Sequence, residues 1–481
     1  MQIFLIIFLG IMLRFINIDK PEGLWNDEYV SWFISSTPFS KGFFQEILKQ
    51  CHMPLYYLYL KPFAYFNDII LRISSVIPGT IAIFIMYKIG KNFSNKVGYI
   101  AATITSVLPF LIYYSQEVRF YSLLFLFSSL SLFFLIKIIK DNSGWLGFII
   151  SSILILFTHV LGGIYVSLSV AYVIYKKKIL SKKIIIYSFI ITIAILPFGL
   201  NILRMLPSSQ WWGDFSYTNI LFLFSDYFSP ILTNNINAPK EFFYSKNLFF
   251  NTLLFLPTIL GGYLVTKSSF KYKGLVLITL GTIFITSLLA LTGNIVFITK
   301  YTIEILPILI LLLALTVQTR FDYIILSIFI AIQIFSIFTP YYPAKEFRNE
   351  GHKLVADILN ASKSDQIIFT YYEPNRFYRY LEKKAKMKHI SKINRFEYIE
   401  SPERIISNVK TGERISVVFL DSVSFIPEHW IQQAQEKKFP EMFITFSIIR
   451  NKLIKELNNN YTDFEIKKSG SWTIITGRKL K

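Results

Sequence analysis

Two adjacent carboxylates occur near the start of the chain, in the segment Trp25-Asn26-Asp27-Glu28-Tyr29. Neighbouring acidic side chains do not share one face of a helix. They suit a site where one accepts a proton while the other orients a group or a metal ion. An acidic surface loop, or a helix N-terminus stabilised by its dipole, explains the same pair without any chemistry. Asp27 and Glu28 are therefore candidates for acid–base work, with both structural explanations open.

A cation followed by a tyrosine occurs in residues 115–121 (SQEVRFY), where Arg119 and Tyr121 come after Glu117. We expect Arg119 and Tyr121 to lie at the membrane interface. A guanidinium there grips a phosphate through its fork of donors. Pairing of Arg119 with Glu117, or a side chain that extends to water, is the alternative.

A second such pair is Lys300-Tyr301, with Glu304 four residues after the lysine. An ammonium group is a point charge that binds a phosphate oxygen. In an α-helix the same lysine would instead pair with Glu304. Both explanations of Lys300 stay open at this point.

Two histidines accompany these groups. His52 lies in residues 52–57 (HMPLYY) together with Tyr56, and His159 precedes Gly162-Gly163. An imidazole binds a metal, carries a proton or donates to phosphate, but lone histidines are often structural, and two glycines also suit a tight turn. Carboxylates, imidazoles and cations together have the chemistry to activate a hydroxyl and stabilise an anionic leaving group.

The composition indicates that a membrane positions these residues. The 481 residues are 53% hydrophobic, with 47 Phe and 29 Tyr, and the apolar residues form long runs. The net charge of +20 is explained by short basic loops, so we expect no nucleic-acid partner. The single cysteine, Cys51, excludes an internal disulfide.

About eleven apolar segments predict a polytopic α-helical membrane protein. The first lacks a basic n-region and a cleavage site, which predicts a retained helix. Long outer loops are predicted at 18–68 and 204–247. The segments fall at 1–17, 69–87, 97–114, 119–136, 145–160, 162–175, 184–203, 248–266, 274–292, 302–318 and 322–340.

The loops between these segments alternate in charge. One set is rich in lysine, as in 176–183 and 267–273, and the other holds most of the carboxylates. The positive-inside rule places the lysine-rich set in the cytosol. The protein is then a multi-pass protein of the cell membrane with a cytosolic N-terminus. An odd number of spans places residues 341–481 outside.

Residues 341–481 have a different character from the membrane region 1–340, with 25 Lys and Arg and 17 Asp and Glu. The pattern predicts a helix at 346–361, strands at 366–372 and 415–420, a helix from Pro427 and a hairpin at 463–479. We therefore expect a small extracytosolic α/β domain.

The chain resembles the GT-C glycosyltransferases, in the branch of the protein O-mannosyltransferases and aminoarabinose transferases (family 39-like). Arg14 followed by residues 24–28 (LWNDE) resembles the first outer loop of that branch, and HMPLYY resembles its HPPLYY element. Residues 115–121 resemble its Arg-x-Tyr segment, and Lys300-Tyr301 its later Arg-Tyr. Lys300 in place of arginine keeps the charge and loses the bidentate fork.

The resemblance implies a GT-C-like fold and a sugar donor linked to polyprenyl phosphate, which enters from the bilayer. It implies transfer to an acceptor glycan, lipid or protein hydroxyl on the outer face, with inversion at the anomeric carbon. The implied catalytic residues are Asp27 and Glu28. The resemblance also implies residues that bind the donor phosphate, namely Arg119, Lys300, Tyr121 and Tyr301. It implies that the cavity is lined by His52, Tyr56, Glu117 and His159.

Cofactor use stays open, because some relatives use a divalent ion near the acidic loop; Glu28, His52 or His159 would then be its ligands. Two other functions compete with sugar transfer. A flippase of lipid-linked sugars would need polar groups at mid-membrane and repeated, broken spans. A non-catalytic envelope assembly protein would bind a partner through residues 341–481.

Overall fold

A computed structural model describes most of the helical region and the core of the C-terminal region. The chain divides into two compact units, Met1–Ile18 with Ile34–Ala344, and Asp19–Phe33 with Lys345–Lys481. A domain boundary at residue 340 stays a prediction. Apart from single positions between 186 and 220 and at 454–455, the described residues are 1–19, 23–177, 223–229, 248–291, 297–338, 352–370, 392–395, 409–420, 457–469 and 472–480.

The first unit is helical, and most of its helices are joined by short turns. Helix α2 (Asn26–Ser36) begins in the second unit and ends in the first. The other N-terminal helices are α1 (Gln2–Phe15), α3 (Lys41–Lys49), α4 (Leu55–Leu60), α5 (Asp68–Lys91), α6 (Asn95–Val107), α7 (Pro109–Tyr114), α8 (Tyr121–Asp141), α9 (Trp145–Thr158) and α10 (Gly162–Lys177). The later ones are Leu223–Phe228, Leu248–Ser269, Lys273–Leu291, Leu306–Thr316 and Arg320–Ile337, with 3₁₀ turns at Lys61–Tyr65 and Thr299–Ile305.

The core of the first unit lies along the helix Leu306–Thr316. Each of its residues is buried, as expected of a helix that is apolar on all sides. It follows directly on the 3₁₀ segment Thr299–Ile305, which contains Lys300. A fully buried helix therefore directly follows the segment that carries this cation.

The protein is a multi-pass membrane protein. Ten of the eleven predicted apolar segments coincide with helices, and the segment 184–203 lies largely outside the described residues, as does the loop 204–247. The shorter helices α1 and α9 are also apolar. Among the described residues, the helices long and apolar enough to cross a bilayer are Asp68–Lys91, Tyr121–Asp141, Lys273–Leu291, Thr299–Thr316 and Arg320–Ile337.

The predicted segment 97–114 is wrong as a single helix, because it breaks at Leu108 into α6 and α7. Leu108 precedes Pro109 and is extended, as residues before proline tend to be. Proline has no N–H to donate to the carbonyl four residues earlier, that of Thr105. The buried Arg14 of α1 donates to that carbonyl at 3.1 Å and to Ser106 O at 3.3 Å.

The second unit contains a five-stranded sheet in the order β2-β1-β3-β5-β4. Strand β1 (Gln366–Thr370) pairs in parallel with β2 (Lys392–Arg395) and β3 (Arg414–Leu420). The hairpin β4 (Tyr461–Ser469) and β5 (Trp472–Lys479) joins β3 through antiparallel pairing. Beneath it lies a core of Val409, Ile415, Val417, Leu457, Tyr461 and Ile475.

The predicted strands and hairpin of the C-terminal region are confirmed. The predicted helix at 346–361 is described from His352 to Ser362. The helix predicted from Pro427 lies outside the described residues. The apolar pattern was sufficient here because strands β3 and β5 contribute Ile415, Val417 and Ile475 to the core.

Candidate active site

The loop that carries Arg119 is held at its base by α1. Gln116 Nε2 donates to the carbonyls of Arg14 at 2.8 Å and Ile16 at 2.7 Å, and Arg14 Nε donates to Ser115 Oγ at 3.2 Å. A Cβ at Gly79 would stand 2.2 Å from Ser115 Oγ, so only glycine allows this approach of α5. The residues before Arg119 are therefore fixed by buried polar contacts.

Lys300 lies on a segment that is held by a different part of the unit. Tyr227 OH donates to Thr302 O at 2.8 Å, and Thr299 Oγ1 donates to Asp226 Oδ2 at 2.5 Å. These buried bonds tie both flanks of Lys300 to the helix Leu223–Phe228. Sequence reasoning did not identify Tyr227, because nothing local to it indicates a contact with the segment 299–305.

The two cations converge on one aromatic ring. Lys300 Nζ lies 5.5 Å from the ring centre of Tyr121, and Arg119 Cζ lies 5.9 Å from the same centre. Arg119 also lies over Phe120 at 5.3 Å, and Lys300 over Tyr301 at 5.6 Å. Cations are attracted to the faces of aromatic rings, and this attraction allows two like charges to lie beside the same ring.

Arg119 and Tyr121 are buried within the protein, at 4% and 0% exposure, so Arg119 does not extend to water. Their position at the membrane interface stays a prediction. Glu117 is also buried, and its carbonyl accepts the N–H of Arg119 at 2.7 Å. The buried guanidinium of Arg119 and the half-buried Lys300 place two positive charges beside one ring, an arrangement that attracts an anion.

The alternative explanation of Lys300 as the partner of Glu304 is wrong. Glu304 is buried, and among the described residues neither of its carboxylate oxygens has a hydrogen-bond partner. The reason is that Thr299–Ile305 is a 3₁₀ segment with a kink at Thr302, which lies between the two residues. Residues four apart then point in different directions, unlike in an α-helix.

His159 lies between aromatic rings from both cation segments. Its imidazole stacks on Phe120 at 4.7 Å and 20°, and on Tyr301 at 5.5 Å and 26°. Burial, with a smaller contribution from Arg119, lowers the pKa of His159 to about 3. Phe120 was missed from sequence, although it stands between two residues that were identified.

His52 and Tyr56 lie on the other side of Phe120. The His52 ring meets Phe120 edge to face at 6.0 Å, and Tyr56 does so at 6.4 Å. His52 Nδ1 shares a hydrogen bond with Tyr57 OH. Burial lowers the pKa of His52 well below its usual range, and the charge of Arg119 lowers it further. Both histidines are therefore neutral at neutral pH.

The turn that carries His159 is tight, as the two glycines predict. The N–H of His159 donates to Ile155 O at 2.9 Å, and the N–H of Gly162 donates to His159 O at 3.1 Å. A Cβ at Gly162 would stand 2.4 Å from Ile155 Cγ2. The glycines therefore form a tight turn, and this turn is compatible with a cavity role for His159.

Asp27 and Glu28 lie in the second unit, in the first turn of α2. The buried Glu28 accepts the N–H of Trp25 at 3.3 Å, and Ser31 Oγ donates to Asp27 O at 2.8 Å. The pair therefore occupies a helix N-terminus, where the dipole stabilises negative charge. Their role in catalysis, and a pocket shared with the cations, stay predictions.

The described residues do not fit a divalent ion. They contain no group of three His, Cys, Asp or Glu side chains that could hold a metal. His52 and His159 lie close to Arg119, whose charge lowers the pKa of both histidines and would repel a divalent cation. Glu28 already accepts a backbone N–H. We therefore assign no metal to Glu28, His52 or His159.

Comparison with solved structures identifies the architecture. The crystal structure of ArnT from Cupriavidus metallidurans bound to undecaprenyl phosphate matches with a TM-score of 0.54 and 8% identity, over 98% of this chain and 97% of that one. Its apo state matches with a TM-score of 0.50 and 10% identity, over the same shares. The chain has the GT-C fold.

Other comparisons of this GT-C chain are more partial. Residues 58–201 match the family model of dolichyl-phosphate-mannose-protein mannosyltransferase, a range that contains Arg119, Tyr121 and His159. The Archaeoglobus fulgidus oligosaccharyltransferase matches with a TM-score of 0.46 and 10% identity, over 97% of this chain and 72% of that one. No curated protein sequence matches.

Proposed function

We propose that this GT-C protein is a glycosyltransferase that moves a sugar from a polyprenyl-phosphate donor to an acceptor hydroxyl on the outer face of the membrane. The observation that carries the proposal is the convergence of Arg119 and Lys300 on the ring of Tyr121. A buried guanidinium and a half-buried ammonium that share one ring suit an anion such as a lipid phosphate.

The comparisons support this choice of ligand and chemistry. The similar ArnT structure holds undecaprenyl phosphate, and the family model matching residues 58–201 describes transfer of mannose from a dolichyl phosphate. A polyprenyl phosphate has an apolar tail that stays in the bilayer and an anionic head that needs cations. The apolar helices of the first unit suit the tail, and Arg119 and Lys300 suit the head.

In the proposed reaction, the acceptor oxygen attacks the anomeric carbon of the sugar. The bond from that carbon to the phosphate oxygen breaks, and its electron pair leaves on the phosphate. Arg119 and Lys300 stabilise this added charge, which is the main electrostatic contribution expected of the site. Asp27, assigned by its motif, accepts the proton of the acceptor hydroxyl, and Glu28 orients the loop or the acceptor.

A direct test compares cells that carry the gene with cells that lack it, by mass spectrometry of their glycoconjugates. We expect one sugar to be absent without the gene, restored by the wild-type protein and not by Arg119→Gln. Undecaprenyl phosphate binding by the purified protein is measured in parallel. A protein that restores the sugar equally well with Gln at position 119 would exclude this phosphate site.

The competing functions give different results in the same system. A flippase would move lipid-linked sugar across vesicles of purified protein without transferring it. If the chain is an assembly protein, deletion of residues 341–481 should abolish its role. If the chain is a transferase and stays active when truncated near residue 340, those residues serve binding or targeting.

A further inference from the structure

We propose that His159 is a positioning residue that holds Arg119 and Lys300 at the separation one phosphate needs, by stacking between Phe120 and Tyr301. The inference rests on the proposed function and adds to it a residue that acts through the two cations. Phe120 directly follows Arg119, and Tyr301 directly follows Lys300. The imidazole is therefore the layer between the two cation-bearing segments.

The imidazole of His159 is nearly parallel to each of its two partner rings. His159 is tilted by only 20° from Phe120 and by 26° from Tyr301, with centre separations of 4.7 Å and 5.5 Å. Ring contacts of this kind stabilise a structure beyond the burial of their area. A change in the thickness of the middle ring would shift the two outer rings, and with them the adjacent cations.

The cations need such a restraint because they repel each other. Arg119 and Lys300 lie 5.9 Å and 5.5 Å from the centre of one ring, on segments that are distant along the chain. Before an anion binds, repulsion between like charges drives them apart. A rigid stack that resists this movement preorganises the site and saves the cost of ordering it on binding.

His159 is itself held in place by backbone hydrogen bonds. The bonds from its N–H to Ile155 O and from the N–H of Gly162 to its own carbonyl fix its backbone at the start of the turn. Gly162 packs too closely on Ile155 for any larger residue. The ring thus projects from a turn that leaves it little freedom to move.

The surroundings of His159 argue against a role as a proton carrier. A histidine that acts as a general base has its second nitrogen oriented by a carboxylate or a carbonyl. The buried Nδ1 of His159 has no hydrogen-bond partner among the described residues. Burial and Arg119 also lower the pKa of His159 to about 3, so the ring adds no third positive charge at neutral pH.

The test compares His159→Phe, which keeps a flat ring, with His159→Leu, which keeps apolar bulk and loses the ring. The dissociation constant of undecaprenyl phosphate is measured for each purified protein in detergent. We expect His159→Phe to bind within about threefold of the wild type and His159→Leu to bind about tenfold more weakly. The melting temperature of each unliganded protein is recorded beside it.

A second pair of variants addresses the other end of the stack. Tyr301→Leu is expected to lose about tenfold in affinity, and Tyr301→Phe, which keeps the ring and loses only the hydroxyl, to lose less. The double variant His159→Leu/Tyr301→Leu should lose little more than either single one, since the stack is already broken. This pair also decides the matter if His159→Leu does not fold.

The outcomes separate the two proposals. If the wild type binds undecaprenyl phosphate and every variant binds it with the same affinity, the positioning role alone is overturned. Equally weak binding by His159→Phe and His159→Leu would also overturn it, because the imidazole itself would then contact the phosphate. A wild-type protein that does not bind undecaprenyl phosphate would instead contradict the proposed function.

Discussion

The ammonium of Lys300 lies 5.5 Å from the ring centre of Tyr121, although the two residues belong to segments that are far apart in the chain. Tyr121 is fully buried at the start of α8, whereas Lys300 lies on a 3₁₀ segment before the central helix. The arrangement brings a second cation to the ring that Arg119 already covers.

Substitution of Lys300 tests whether the site needs charge or a particular donor geometry. Lys300→Arg should bind undecaprenyl phosphate as tightly as the wild type or more tightly, because a guanidinium adds a second donor. Lys300→Gln should bind about tenfold more weakly, since a charge-assisted hydrogen bond is lost. Lys271→Gln, which removes an exposed lysine, is the control. Equal losses in the Lys300→Gln and Lys271→Gln variants would point to a general effect of charge.

Loss of Arg14 should destabilise the fold. Arg14→Met leaves the carbonyls of Thr105 and Ser106 without their donor and removes a contact to Ser115. Unsatisfied buried polar groups cost about 1–3 kcal/mol each, so we expect a lower melting temperature in detergent. Arg320→Met, at an exposed arginine, should melt as the wild type does. An unchanged melting temperature for Arg14→Met would contradict the role of Arg14 in the helix break.

The pH dependence of stability should report the neutral state of His159. Its pKa is about 3 in the folded protein and near 6.5 when unfolded, so the unfolded chain binds the proton more readily. Acidification from about pH 6.5 toward 3 therefore destabilises the fold through this residue. His159→Phe removes that contribution and should melt with a shallower dependence on pH. If the melting temperatures of the two proteins change equally with pH across this range, His159 titrates normally.

The acidic pair is tested by Asp27→Asn. Loss of a general base reduces rates by about 10²–10⁴-fold, so complemented cells should lack the transferred sugar. Binding of undecaprenyl phosphate should be unchanged, because Asp27 is assigned to the acceptor hydroxyl. Glu28→Gln is the comparison, since an amide oxygen still accepts the N–H of Trp25. Normal sugar transfer by Asp27→Asn would remove Asp27 from the mechanism.

Local patterns were sufficient for much of the architecture. The apolar run 119–136 predicts the helix Tyr121–Asp141, and the segment 366–372 predicts the strand Gln366–Thr370. Helix and strand formation in these segments depends on periodic burial and on the length of each apolar run, both of which can be read along the chain. Residue types that bind phosphate can also be read along the chain.

Tertiary structure decided which of those residues meet, and how. A pairing of Lys300 with Glu304 follows from α-helical spacing, but the segment is a 3₁₀ turn. The stack of Phe120, His159 and Tyr301 joins three segments, so no local pattern contains it. The amino-acid sequence by itself determined the membrane helices, the strands and the supply of cations, because these depend on neighbouring residues. Only the fold decided that two cations share the ring of Tyr121, because that contact depends on packing between segments that are distant along the chain.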